Sequence, residues 1–222
     1  MTTANRRNRE KKLRAEQILD AAEKLIMETS VESLRMDDVA EAAELSKGTL
    51  YLYYKSKTEL AFAVHIRGMR QILEEIRKQM SQPGTGIEMI RGMSKIFFGF
   101  MQKHPQYYRL FLYFESVGLD VLKELKDSEL NAESDEIGQE MQHLIMRAVQ
   151  VGIQDGSIDS DINPVAISIH IIACYHGIMH ITKFNEEGYL KNIDIPNSEL
   201  SFKKMMDTFM DVLMRALKPI IK

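Results

Sequence analysis

Apolar residues recur at helical spacing along nearly the whole of this 222-residue chain, and that periodicity limits the fold more than any other feature. Ile18, Ala21, Ala22, Leu25 and Ile26 fall at i, i+3, i+4, i+7 and i+8, one stripe of an amphipathic helix. Similar stripes run through Met69, Ile72, Leu73, Ile76 and Met80, through Ile137, Met141, Leu144, Ile145 and Ala148, and through Phe202, Met205, Met206, Phe209, Leu213 and Leu217. Only 12 Gly and 5 Pro interrupt them, so turns are few. No alternating strand pair with an Asn-Gly or Asp-Gly turn is present. The expected fold is all-α with about nine helices.

Turn and cap residues set the expected boundaries. Ser56-Lys57-Thr58-Glu59 has the form of a capping box and opens a long helix that Pro83-Gly84 closes. A helix from Ile87 to Lys103 is stopped by Pro105, which suits the first turn of the next, Pro105 to about Val117. Leu119 to Glu136 is charged and weakly patterned and reads as a partly mobile stretch, with the next helix starting at Ile137 and ending near Gly156. Asn163-Pro164 caps a helix that is apolar almost all round and is therefore expected to be buried on most faces. The last helix is expected from Ser198 to Leu217. One segment conflicts with the rest: by propensity alone Thr49 to Tyr54 reads as a strand.

Composition excludes several classes. The single Cys174 allows neither an intramolecular disulfide nor a CxxC site and fits a reducing cytoplasm. The first residues are polar and basic with no apolar core of a secretory signal. The longest apolar run, Val165 to Ile181, carries Ser168 and three histidines, so no membrane partner is expected. G-x-S-x-G, a Gly-rich phosphate loop, H-E-x-x-H and a Cys/His nucleophile pair are all missing, so the chain does not read as an enzyme, and no cofactor is implied. A net charge of −3 at first weighs against a nucleic-acid partner, but the charges are sorted. Residues 1–14 hold six basic side chains and one acidic, and Leu45 to Thr58 holds Lys47, Lys55 and Lys57 with no acid.

Val39 to Tyr53 is the most informative segment. Ala40 is small enough for two short helices to cross, Leu45 and Leu50 can seal the space between them, and Ser46 is a good N-cap for the second helix. That second helix would project Lys47, Gly48 and Thr49 outward, the geometry of a recognition helix entering the major groove. From Val39 to Leu60 the sequence V-A-E-A-A-E-L-S-K-G-T-L-Y-L-Y-Y-K-S-K-T-E-L resembles the TetR/AcrR family of transcriptional regulators, whose pattern is roughly I-A-x-x-A-G-V-S-x-G-T-L-Y-x-Y-F-x-x-K-x-x-L. The resemblance implies an N-terminal three-helix DNA-binding domain, residues 1–56, and an effector-binding and dimerisation domain, residues 57–222. It also implies a helix, not a strand, at Thr49 to Tyr54.

Carried over by position, Ser46, Lys47, Gly48 and Thr49 would face the groove, and Tyr51, Tyr53 and Lys57 would hold the phosphate backbone. Two positions depart from the pattern. Glu44 stands where the family usually has Gly, which demands a left-handed backbone of a side-chain-bearing residue. Met36 stands where Thr is common, leaving Asp37 as the candidate cap. The basic run Arg6 to Arg14 has two readings, a solvated end or an arm on the phosphates or in the minor groove.

For the second domain the resemblance implies a ligand-responsive regulator, a repressor that leaves a palindromic double-stranded operator when a small effector binds. It also implies a homodimer through the last two helices. The effector-lining candidates are Met93, Phe97, Phe100, Met101, Tyr107, Phe111, Phe114, Met141 and Met146, a set that suits a hydrophobic ligand or plain core packing. His170, Cys174, His176 and His180 share helical spacing but lack a nearby carboxylate, and no metal is expected there. The competing reading is a helical interaction protein that keeps the helix-turn-helix only as scaffold.

Overall fold

The computed structural model describes residues 3–117, 123–126, 128–192 and 194–219. Among them nine helices of seven residues or more are present and no strand. They are α1 (Thr3–Glu28), α2 (Met36–Ala42), α3 (Lys47–Tyr53), α4 (Lys57–Met80), α5 (Gly86–Lys103), α6 (Pro105–Ser116), α7 (Glu129–Asp155), α8 (Pro164–Glu186) and α9 (Phe202–Ala216). The chain forms two compact units, residues 1–71 with 101–135 and residues 72–100 with 136–222. These units differ in extent from the expected domains, residues 1–56 and 57–222.

The first unit is built on the stripe of α1. Ile18, Ala22 and Ile26 are fully buried, and Val39, Ala40 and Leu50 close the three-helix core as their spacing requires. Ser56 opens α4 by accepting the Glu59 N–H at 3.1 Å, and the Glu59 carboxylate reaches back to the Lys55 N–H, one residue earlier than the standard capping box. Against α1 and α4 lies α6. Arg67 of α4 pairs with Asp20 at 2.6 Å and with Glu23, and the Glu23 carboxylate also accepts from Gln106 Nε2 at 2.9 Å and the Tyr107 hydroxyl at 2.7 Å. Burial pushes the Glu23 carboxyl up, but those donors and the guanidinium outweigh it, so the group stays charged below its ordinary range. A Cβ at Gly68 would lie 2.3 Å from the Tyr107 ring, so α4 and α6 sit at glycine distance.

In the second unit the N-terminus of α5 is capped from far along the chain. The Gly86 N–H donates to Asp155 Oδ2 at 2.8 Å and the Ile87 N–H to Ser157 Oγ at 3.2 Å. Phe97, Phe98, Tyr175, Phe202 and Phe209 form a run of edge-to-face and stacked rings, and Tyr175 shares a buried hydrogen bond with Ser94. The cap expected at Asn163 is present, its Oδ1 accepting from Val165 and Ala166 N–H.

Three expectations need correction. First, α7 begins at Glu129, eight residues before the apolar stripe. Ser128 caps it by accepting the Asn131 N–H at 3.1 Å, and Arg70 pairs with Glu133, so its first turns are held by polar contacts that periodicity does not register. Of the stretch read as mobile, residues 118–122 and 127 lie outside the described residues. Second, α9 begins at Phe202 with Ser201 as N-cap, not at Ser198, because Pro196 to Leu200 closes turns of its own. Third, α8 is not buried on most faces. Ile171, Tyr175, Ile178 and Met179 are inside, while Val165, Ile169, Ile181 and Phe184 are 40–52% exposed. By length and composition alone it is the one helix among the described residues that could cross a membrane.

Candidate nucleic-acid interface

The turn between α2 and α3 is a Schellman motif. The Leu45 N–H donates to Ala40 O at 2.9 Å and the Glu44 N–H to Glu41 O at 3.0 Å. The residue at the bend must be left-handed, and Glu44 is so at φ 54°, the one non-glycine residue with positive φ among those described. Ser46 then caps α3: its Oγ accepts the Thr49 N–H at 3.1 Å and shares a hydrogen bond with Thr49 Oγ1 at 2.8 Å. The N-cap overrides strand propensity, and Lys47–Tyr53 is helical.

With Leu50 and Tyr54 turned inward, Ser46, Lys47 and Gly48 are exposed, Thr49 half-buried, Tyr51 exposed and Tyr53 half-buried. Gly48 is not needed for packing. A Cβ there would meet only Ser46 Oγ at 3.9 Å, so the bare backbone leaves room on the outer side of the helix. Burial pushes the Tyr54 hydroxyl up to about 12, as expected of a core tyrosine.

Two cations are already engaged. Lys47 Nζ lies 2.6 Å from Asp37 Oδ1, and this bond raises the lysine and lowers the carboxyl. Asp37 therefore holds Lys47 instead of capping α2, whose N-cap Arg35 offers no side-chain bond. Lys57 Nζ donates to Glu32 O at 2.8 Å, turning toward the loop between α1 and α2.

The effector candidates fall in both units. Met101, Tyr107, Phe111 and Phe114 belong to the first, and Met93, Phe97, Phe100, Met141 and Met146 to the second. All are buried except Met141 and Met146, which are half-buried. Tyr107 commits its hydroxyl to Glu23, and Phe97 belongs to the ring run around Tyr175. Among the described residues no three His, Cys, Asp or Glu side chains are placed to hold a metal ion; His170 Nδ1 lies 2.7 Å from Ala166 O.

Residues 18–64, the segment carrying this geometry, match the family described as bacterial regulatory proteins, tetR family. Over that segment the chain is similar to the TetR family. Over 94 residues it is 30% identical to the HTH-type transcriptional activator FasR of Mycolicibacterium smegmatis, covering 42% of this chain and 43% of FasR. The match thus spans less than half of that relative. The fold is similar to that of FadR from Bacillus subtilis, solved in complex with stearoyl-CoA, with a TM-score of 0.68 at 18% identity over 91% of this chain and 98% of FadR. AibR, solved with isovaleryl coenzyme A and operator DNA, gives 0.61 at 17% identity over 93% and 100%.

Within this matched segment, sequence reasoning missed Leu52. It is 74% exposed and follows Gly48 by four residues on the outward side of α3, where an apolar side chain can meet a thymine methyl. Its place between Tyr51 and Tyr53 was the available signal. His65 was missed too. It packs against Phe62, Phe111 and Phe114 with ring centroids 5.5–6.3 Å away, and burial pushes it down to about 4 against the weaker opposing pull of Glu115.

Proposed function

We propose that this TetR-family protein is a dimeric, ligand-responsive transcriptional regulator in the cytoplasm, a repressor that releases a palindromic operator when a small hydrophobic effector binds. The observation that carries the DNA half is the outward side of α3, where Lys47, bare Gly48, Thr49 and Leu52 stand on a helix fixed at its start by Ser46. In this reading Lys47 leaves Asp37 for a guanine edge, Leu52 and Thr49 meet bases, and Tyr51, Tyr53 and Lys57 grip phosphates. The exposed apolar side chains Val165, Ile169, Ile181 and Phe184 along α8 support dimerisation through α8 and α9, since apolar side chains grouped along one helix mark interaction sites.

The effector class follows from the Met- and Phe-rich candidates of the second unit together with the acyl-CoA ligands of FadR and AibR: an acyl thioester, its chain among Met93, Phe97, Phe100, Met141 or Met146.

A duplex selected by the wild-type protein from a random pool tests the DNA half. Lys47→Ala with Thr49→Ala should abolish the shift of that duplex, and selection of no duplex would leave the scaffold reading. A thermal-shift series of acyl-CoAs from short to long chain, against sugars and nucleotides, tests the effector. Stabilisation by the polar compounds alone would exclude an acyl thioester.

A further inference from the structure

The basic run ahead of the α1 core stripe is helical, not an extended tail, and that form decides what it can touch. An α-helix with side chains is about 10 Å across, whereas the minor groove of B-DNA is about 6 Å wide, so this segment cannot lie in it as an arm would. It can lie along the sugar–phosphate backbone.

Its six cations are divided by helical geometry. Arg7, Lys11 and Arg14 follow at i, i+4 and i+7 and share one face, whereas Arg6, Arg9 and Lys12 point elsewhere around the helix. The first three line a single groove with Asn8, Glu10 and two residues of the recognition helix, Leu52 and Tyr53. All three are exposed, and among the described residues none of them takes an ion pair. The one carboxylate in the groove, Glu10, is bonded to Arg6 at 2.9 Å, so the groove keeps the positive charge of the three. Its floor is continuous with the C-terminal half of α3, the helix that would enter the major groove.

We infer that Arg7, Lys11 and Arg14 form a phosphate clamp on the duplex that α3 reads, gripping the backbone that flanks the contacted bases. The inference rests on the DNA-binding reading above. The clamp is sequence-independent, contributes affinity rather than base choice, and is used twice in a dimer.

The test compares two charge-matched triple variants of the full chain, R7Q/K11Q/R14Q and R9Q/K12Q/K24Q, the second taking three exposed cations of α1 outside the groove and keeping the Arg6–Glu10 bond, each binding the duplex selected by the wild-type protein. Affinity is measured over a salt series, with helicity and melting midpoint checked for both. Each phosphate contact contributes a log–log salt slope of roughly 0.9, so losing three per head should flatten the dimer's slope by about 5. The first variant should show that loss with unchanged base preference, and the second should stay within about 1 of wild type. Trimming the flanking base pairs should weaken the wild type and leave the first variant unaffected. Equal slope losses in both variants, or none in the first, would overturn the clamp while leaving DNA binding intact. A wild-type protein that selects no duplex would overturn the DNA reading itself, and the clamp with it.

Discussion

Glu44 holds a backbone conformation that disfavours any residue with a Cβ by roughly 1 kcal/mol, and the Schellman hydrogen bonds on either side leave it no alternative. Glu44→Gly should therefore stabilise the chain. The gain is offset in part by glycine's freedom in the unfolded state, so a melting midpoint higher by about 2 °C is expected. A lower midpoint would mean that the Glu44 side chain contributes a contact of its own. His65 gives a pH dependence with a definite sign. Its folded value of about 4 lies below the unfolded 6.5, so between those limits the unfolded chain binds more protons and stability rises with pH. The contribution is complete above pH 6.5 and is lost as pH falls toward 4. Urea melts at pH 6.5 and pH 5 should show wild type losing about 2 kcal/mol more than His65→Gln.

Among the elements, α5 and α7 meet at glycine distance. A Cβ on Gly86 would sit 2.1 Å from Gly152 N and 2.3 Å from Ala148 O, and backbone atoms cannot step aside as a side-chain end can. Gly86→Ala should cost about 3 kcal/mol, read from denaturant midpoints, whereas alanine in place of exposed Gly138, with nothing within 4 Å, should not destabilise. The helices themselves were legible in the sequence where their signals are local: the stripe of α1, Ser46 before α3, Asn163-Pro164 before α8. The start of α7 was not, because Arg70 and Glu133 are 63 residues apart and neither belongs to an apolar stripe. The same division holds for the interface. Lys47, Gly48 and Thr49 follow from turn chemistry within a dozen residues. The capture of Lys47 by Asp37 and of Lys57 by the Glu32 carbonyl depends on how α2 and the preceding loop face α3 and α4, and no local pattern encodes that.

For the whole molecule the decisive surface is the open side of α8. Gly177 lies on it, exposed, with nothing within 4 Å of a Cβ, so Gly177→Arg leaves the protomer intact and places a charged side chain where a second subunit would pack. Sedimentation should show a dimer for wild type and a monomer for Gly177→Arg at equal helicity, and the monomer should lose affinity for a two-half-site duplex. A dimer that survives the substitution would move the contact elsewhere. In the proposed dimer this face would also fix how sharply a cell senses the amount of the protein. Below the dissociation constant of the pair, the species with two heads grows as the square of the chain concentration. Halving the number of chains would then remove three quarters of the competent molecules, so in the proposed dimer the strip from Val165 to Phe184 would set the gene-dosage response as well as the assembly.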